Sequence, residues 1–126
     1  MIFDTDVLIW FLRGNIKAVR VLDATTNKFI SVVSFMELLQ GSRNKQETLQ
    51  IKQFIKNYKF TVLPLTENIS HRSLIYIEDY GLKNGLMVAD SLIAATAAEE
   101  LMTLCTANIK HFRIIRDLML KNFKPN

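Results

Sequence analysis

Two carboxylates near the start of the sequence, Asp4 and Asp6, directly follow the apolar residues 1–3 and are separated by a single threonine. A short apolar run bounded by polar residues is typical of a buried strand. In a parallel sheet covered by helices, ligands gather at the carboxyl ends of the strands, where Asp4 would then lie. Aspartate is also a favoured N-cap of a following helix. The stretch therefore predicts either a helix cap or an acidic catalytic group.

A third carboxylate, Asp90, lies inside the apolar segment 86–95. An ionised carboxylate in apolar surroundings is costly unless a cation or hydrogen bonds compensate for it. Ile93 and Ala97 follow at helical spacing, so a helix packed on the sheet would direct Asp90 inward near the strand ends. A place in the first helical turn is the structural alternative, because the helix dipole favours an acid there. We interpret Asp90 as a functional acid.

Glu37 lies one turn beyond the second predicted strand, on the edge where Asp4 is expected. Ser34 and Glu37 also fit the capping box, in which the glutamate bonds back to the N-cap amide, and this explains Glu37 without any function. Thr106 and Asn108 follow a later predicted strand, so a hydroxyl and an amide could reach the same edge.

These positions together suggest one site for a divalent cation. Several carboxylates that converge without a cation repel each other, and some would have to take up protons. Oxygen-only ligands select Mg²⁺ or Mn²⁺ over Zn²⁺. Such a site beside a basic surface suits phosphodiester hydrolysis, because the metal activates water and neutralises charge at phosphorus.

Basic residues are clustered rather than evenly spread, and the formal net charge is +4. Such clusters bind phosphate backbones, although they can also serve solubility alone. The first cluster lies in residues 43–59 and includes Arg43 and Lys45, and the second lies in residues 110–124 and includes Lys110 and Arg113.

Strands that alternate with helices must position these residues. The 126 residues, with 49% hydrophobic and 22% charged composition, fit one domain over residues 1–126. We predict an α/β fold whose central sheet has four to five mostly parallel strands flanked by helices. The lone Cys105 is expected to be buried and reduced, and neither a secretory signal nor a membrane span is visible, so we expect a cytoplasmic protein. The predicted strands are 1–3, 28–33, 60–63, 103–106 and about 118–120, and the predicted helices are 7–12, 16–25, 34–41, 48–58, 66–80 and 86–101.

Four ordered blocks of the sequence resemble the PIN-domain ribonucleases, in particular the VapC toxins of toxin–antitoxin pairs. The blocks are residues 2–9, 34–41, 89–95 and 106–112. The resemblance implies an endoribonuclease that depends on Mg²⁺ or Mn²⁺, forms a homodimer and is held inactive by a cognate antitoxin in its active-site groove.

The resemblance also implies roles for individual residues. Asp4, Glu37 and Asp90 would form the acidic core and hold the metal, Thr106 and Asn108 would assist metal or water binding, and Asp6 would be a supporting polar residue. Many relatives carry a further acid where His111 stands here, so we expect one resident metal ion. RNA contacts are expected at Arg43, Lys45, Lys110 and Arg113.

Two other functions compete with this one. A PIN-like module whose site has decayed would bind RNA or a partner without cleavage, as the absent fourth acid allows. The stretch from Asp4 to Val7 also resembles the nucleophile motif of haloacid dehalogenase-like phosphatases. Those enzymes need a later acidic pair, and Asp90 has no acidic neighbour.

Overall fold

The computed structural model describes all residues from 1 to 126 and contains seven α-helices and five β-strands. The strands are β1 (Ile2–Phe3), β2 (Phe29–Ser31), β3 (Thr61–Leu63), β4 (Leu104–Thr106) and β5 (Leu120–Asn122). The helices are α1 (Thr5–Leu12), α2 (Ile16–Ala24), α3 (Val32–Gln40), α4 (Lys45–Asn57), α5 (Glu67–Asn84), α6 (Val88–Glu99) and α7 (Ile109–Phe112).

All five strands form one parallel sheet in the order β3-β2-β1-β4-β5. Strands β2 and β3 lie on one side of β1, and β4 and β5 lie on the other side. The strand order therefore reverses between β1 and β4, and the loops that follow these two strands diverge. A crevice at such a reversal is the usual ligand site of an open α/β sheet. The predicted α/β fold class is confirmed.

Alternating side chains of the central strands enter two apolar clusters on opposite faces of the sheet. Ile2 and Leu104 pack with residues of α5 and α6, whereas Phe3 and Cys105 pack with residues of α1, α2 and α4. This alternation follows from the two-residue repeat of a strand. Cys105 is fully buried, as predicted. Apolar cover on both faces leaves the sheet edge as the place where polar groups can gather.

The predicted capping box at Ser34 and Glu37 is wrong. The α3 helix begins at Val32, and Ser31 is its N-cap, whose Oγ accepts a hydrogen bond of 3.0 Å from the Val33 amide. The second strand consequently ends at Ser31 instead of Val33. Both serines precede an apolar run, and the β-branched Val32 and Val33 favoured the longer strand in the sequence.

The predicted end of the helix over residues 66–80 is also wrong, because α5 continues through Gly81 to Asn84. The helix ends where Gly85 adopts a left-handed backbone with φ of +70°, and its amide bonds to the Gly81 carbonyl at 2.9 Å. Glycine is favoured at this C-terminal position because a side chain there is strained.

The C-terminal part of the chain differs in two ways from the prediction. The last strand lies at Leu120–Asn122 instead of around 118–120, and the short helix α7 was not predicted. No helix of the protein is sufficiently long and apolar to cross a membrane.

Candidate active site

Asp4 stands at the carboxyl end of β1 and is buried, with 5% of its surface exposed. Its amide donates to the Cys105 carbonyl at 2.9 Å and so extends the pairing of β1 with β4. Its Oδ1 accepts from the Thr5 amide at 2.8 Å, and its Oδ2 accepts from the Thr106 hydroxyl at 2.7 Å. The residue therefore caps α1 and also lies at the predicted edge, so the two interpretations of Asp4 are compatible.

The turn after β4 brings backbone donors to the same place. The Asn108 amide donates to Thr106 Oγ1 at 2.9 Å, and this fixes the hydroxyl that bonds to Asp4. The Ala107 amide donates to Asp6 Oδ2 at 3.1 Å. Asp6 Oδ1 is buried and has no hydrogen-bond partner. An orphaned buried carboxylate oxygen is costly, so it marks a position that a cation or water would satisfy.

Glu37 reaches this site from α3 through a threonine that the sequence did not single out. The Thr5 hydroxyl donates to Glu37 Oε1 at 2.6 Å and lies 2.9 Å from Ser34 Oγ. Both Thr5 and Ser34 are buried. The only signal for Thr5 in the sequence is its place between two aspartates, and Ser34 is explained by its contact with Thr5 rather than by a cap.

Asp90 lies in the first turn of α6, the position that the structural alternative predicted, and its side chain is 28% exposed. Ile93 and Ala97 on the same helix face are fully buried. His111 Nδ1, on α7, is 3.9 Å from Asp90 Oδ2. The resemblance placed His111 where many relatives carry a further acid, but its approach to Asp90 could not be predicted, because the approach of α7 to α6 depends on tertiary packing.

The acids on these separate elements influence one another electrostatically. The pKa of Asp4 is raised to about 7, chiefly by burial and then by the negative charges of Asp6 and Asp90, against the opposing hydrogen bonds from Thr106 and Thr5. Burial chiefly raises the pKa of Asp90 as well, and Glu37 adds to this whereas His111 opposes it. The pKa of Asp6 is raised by burial and by Asp90. The four carboxylates thus form one repelling cluster.

The chemistry of this cluster fits a hard divalent cation, because the atoms that the four carboxylates offer as metal ligands are all oxygens. The orphaned Asp6 Oδ1 and the mutual repulsion point the same way. However, no three His, Cys, Asp or Glu side chains are arranged so that they could hold one ion together. Asp4 and Glu37 are instead engaged by threonine donors, and ion binding would require their oxygens to turn toward a common point.

The basic residues that were expected to contact RNA lie in different settings. Arg43 forms an ion pair with Glu47, with Nη2 and Oε2 2.8 Å apart, and Lys45 is the first residue of α4. Lys110 lies in α7, and Arg113 follows that helix directly. Arg43 is therefore partly neutralised by its own neighbour, whereas Lys110 has no ion-pair partner.

Comparison with known proteins identifies the family of proteins that share this fold. The PIN domain family model matches residues 1–117, and the chain belongs to the PIN-domain family. The predicted resemblance is thereby confirmed, and the haloacid dehalogenase alternative has no support.

Particular relatives lie within the VapC group. The chain is 34% identical over 122 residues to Ribonuclease VapC10 of Mycobacterium tuberculosis, covering 94% of this chain and 90% of that protein. It is 30% identical over 124 residues to Ribonuclease VapC1 of Rickettsia felis, covering 94% and 92%. A toxin–antitoxin complex from Klebsiella pneumoniae has a chain of 25% identity that superposes with a TM-score of 0.80, covering 99% of this chain and 97% of that one.

Proposed function

We propose that this protein is an endoribonuclease dependent on Mg²⁺ or Mn²⁺ that acts as the toxin of a toxin–antitoxin pair. The observation that carries the proposal is the cluster of Asp4, Asp6, Glu37 and Asp90 at the point of strand reversal in a PIN-domain chain. Relatives named as ribonucleases, and a similar chain in a toxin–antitoxin complex, support the reaction and the partner.

In this proposal Asp4, Asp90 and Glu37 would hold the ion once their oxygens turn toward it, and the ion would activate water and supply positive charge at phosphorus. Thr106 orients Asp4 through its 2.7 Å hydrogen bond, and Thr5 orients Glu37. The turn at Asn108 fixes Thr106, and the exposed Asn108 side chain can assist a water molecule. Asp6 interacts electrostatically with Asp4 and adds negative charge that favours a bound cation.

The proposal includes the partners implied by the family. The substrate is RNA, the cognate antitoxin occupies the active-site groove, and two copies of the chain form a homodimer. A protein that cuts cellular RNA under antitoxin control acts in the cytoplasm. The second candidate function is a PIN-like module that binds RNA without cleavage, and it is favoured by the lack of three acids in a metal-holding arrangement.

RNA cleavage by the purified protein, free of antitoxin, separates these two functions. We expect wild type to cut RNA with Mg²⁺ or Mn²⁺ and to lose cleavage in chelator. Asp4→Asn should lower the cleavage rate at least about a hundredfold, because the charge that binds the ion is removed. It should leave RNA binding intact.

Asp23→Asn is the matched control, since Asp23 is exposed on α2 and lies outside the acidic cluster. It should cleave like wild type. Undiminished cleavage by Asp4→Asn, or RNA binding without any cleavage by wild type, would contradict the enzyme and favour the binding module.

A further inference from the structure

A cavity of about 390 Å³ opens beside the acidic cluster, between the turn after β4, helix α7 and the C-terminal segment 122–126. We call it the C-terminal cavity. Ala107 and Asn108 line it, and these residues also donate backbone hydrogen bonds to Asp6 and Thr106. His111 lines it as well and lies 3.9 Å from Asp90. The cavity therefore borders the candidate active site directly.

The polar groups of this cavity suit an anion. Its lining contains no Asp or Glu side chain. Neither Lys110 nor Lys124 has an ion-pair partner in the protein. Cations without carboxylate partners favour phosphate, and amide side chains can bond to sugar hydroxyls and base edges. The groups in question are Asn108, Lys110, His111, Asn122, Lys124 and Asn126.

The other two cavities of the protein differ in charge. Arg72 in one of them is paired with Glu99 and Asp117. The other is lined by Glu37 and Glu47, of which Glu47 pairs with Arg43, while Arg13 in the same cavity has no ion-pair partner. Carboxylates in the lining of both cavities disfavour phosphate, so the C-terminal cavity, whose lining has no Asp or Glu, is the best anion site of the three.

The wall formed by the C-terminal segment is held in place by specific contacts. The Phe123 amide donates to the Thr106 carbonyl at 2.8 Å, and the Phe123 ring is buried. Asn15 Nδ2 donates to the Pro125 carbonyl at 3.0 Å, and Lys17 Nζ contacts the Asn126 oxygen. This last contact holds the end of the C-terminal segment against α2.

We propose that the C-terminal cavity binds a nucleotide of the RNA strand next to the bond that is cut. This inference rests on the proposed function and names a substrate subsite for it. Lys110 and Lys124 neutralise the phosphate, and the asparagine amides bond to the sugar and the base edge. Because the Phe123 ring is buried, it offers no exposed face for base stacking, so the subsite recognises the backbone more than the base.

The test uses the full chain and a fluorescent single-stranded RNA oligonucleotide in chelator, so that binding is measured without cleavage. Affinity is measured against salt concentration for wild type, for Lys110→Gln with Lys124→Gln, and for Arg20→Gln with Lys83→Gln. The last pair is the matched control, because Arg20 on α2 and Lys83 on α5 are exposed, lie outside both basic clusters, and lose the same charge.

We expect the cavity pair to weaken binding at least about fivefold more than the control pair at ~0.1 M salt. The slope of log affinity against log salt should fall by about 0.7 for each phosphate that is no longer neutralised. Equal weakening by the two pairs, or no binding by wild type, would overturn the inference. RNA binding through the cavity without cleavage in Mg²⁺ would overturn the proposed function and leave the subsite standing. Cleavage in Mg²⁺ together with equal weakening of RNA binding by the two pairs would overturn the subsite and leave the proposed function standing.

Discussion

Asp4 is the residue at which most contacts of the candidate site meet. One of its oxygens caps α1, the other accepts from Thr106, and its amide extends the sheet. The sequence predicted its place at a strand end, because an apolar run leads directly into it. The sequence could not predict the Thr5 contact with Glu37, since those two residues are brought together only when α1 and α3 pack.

The raised pKa of Asp4 predicts how stability depends on pH. Its pKa in the folded protein is about 7, against an ordinary value of 3.8. Between these values the folded state binds more protons than the unfolded state, so the free energy of unfolding falls as pH rises. We expect metal-free wild type to lose stability relative to Asp4→Asn from about pH 4 to pH 7.

Thermal unfolding of both proteins in chelator checks this prediction. Saturating Mg²⁺ should remove most of the difference, because a bound cation compensates for the buried charge. Melting temperatures that differ by the same amount at every pH would contradict the raised pKa of Asp4.

At the scale of elements, the end of a short strand positions Asp4, and three helices, α1, α3 and α6, carry the other acids of the cluster. Ser31 ends β2 and caps α3, so it fixes the helix that carries Glu37. The sequence left this start ambiguous, because Ser31 and Ser34 both precede plausible first turns. Helix α7 could not be predicted either, since its four residues are too few for a periodic pattern, and the approach of His111 to Asp90 was missed with it.

The cap of α3 should matter for cleavage as well as for stability. Ser31→Ala removes the acceptor for the Val33 amide and should cost about 1 kcal/mol of unfolding free energy. Thr66→Ala removes the corresponding acceptor for the Ile69 amide of α5 and should cost a similar amount. Helix α5 carries none of the four carboxylates of the candidate site. Denaturant unfolding and RNA cleavage rates compare the two variants. Only Ser31→Ala should slow cleavage, and equal slowing by both would show that α3 has no special role.

At the scale of the whole molecule, one reversal of strand order assembles a site from residues that are distant in sequence. Because β4 joins β1 on the side opposite to β2, the turn after β4 meets Asp4, and α3 and α6 contribute Glu37 and Asp90. Alternation of strands and helices was sufficient to predict the α/β class. The individual contacts were not predictable, because they depend on how three helices pack at one edge.

Titration calorimetry with Mn²⁺ tests most directly whether these acids share an ion. Wild type, Asp4→Asn, Asp90→Asn and the exposed control Asp23→Asn are titrated under the same conditions. We expect a single ion to bind wild type and the control, and both Asp4→Asn and Asp90→Asn to bind it at least about tenfold more weakly, because each removes a ligand charge. An Asp90→Asn protein that binds Mn²⁺ as tightly as wild type would show that Asp4 and Asp90 do not hold a common ion.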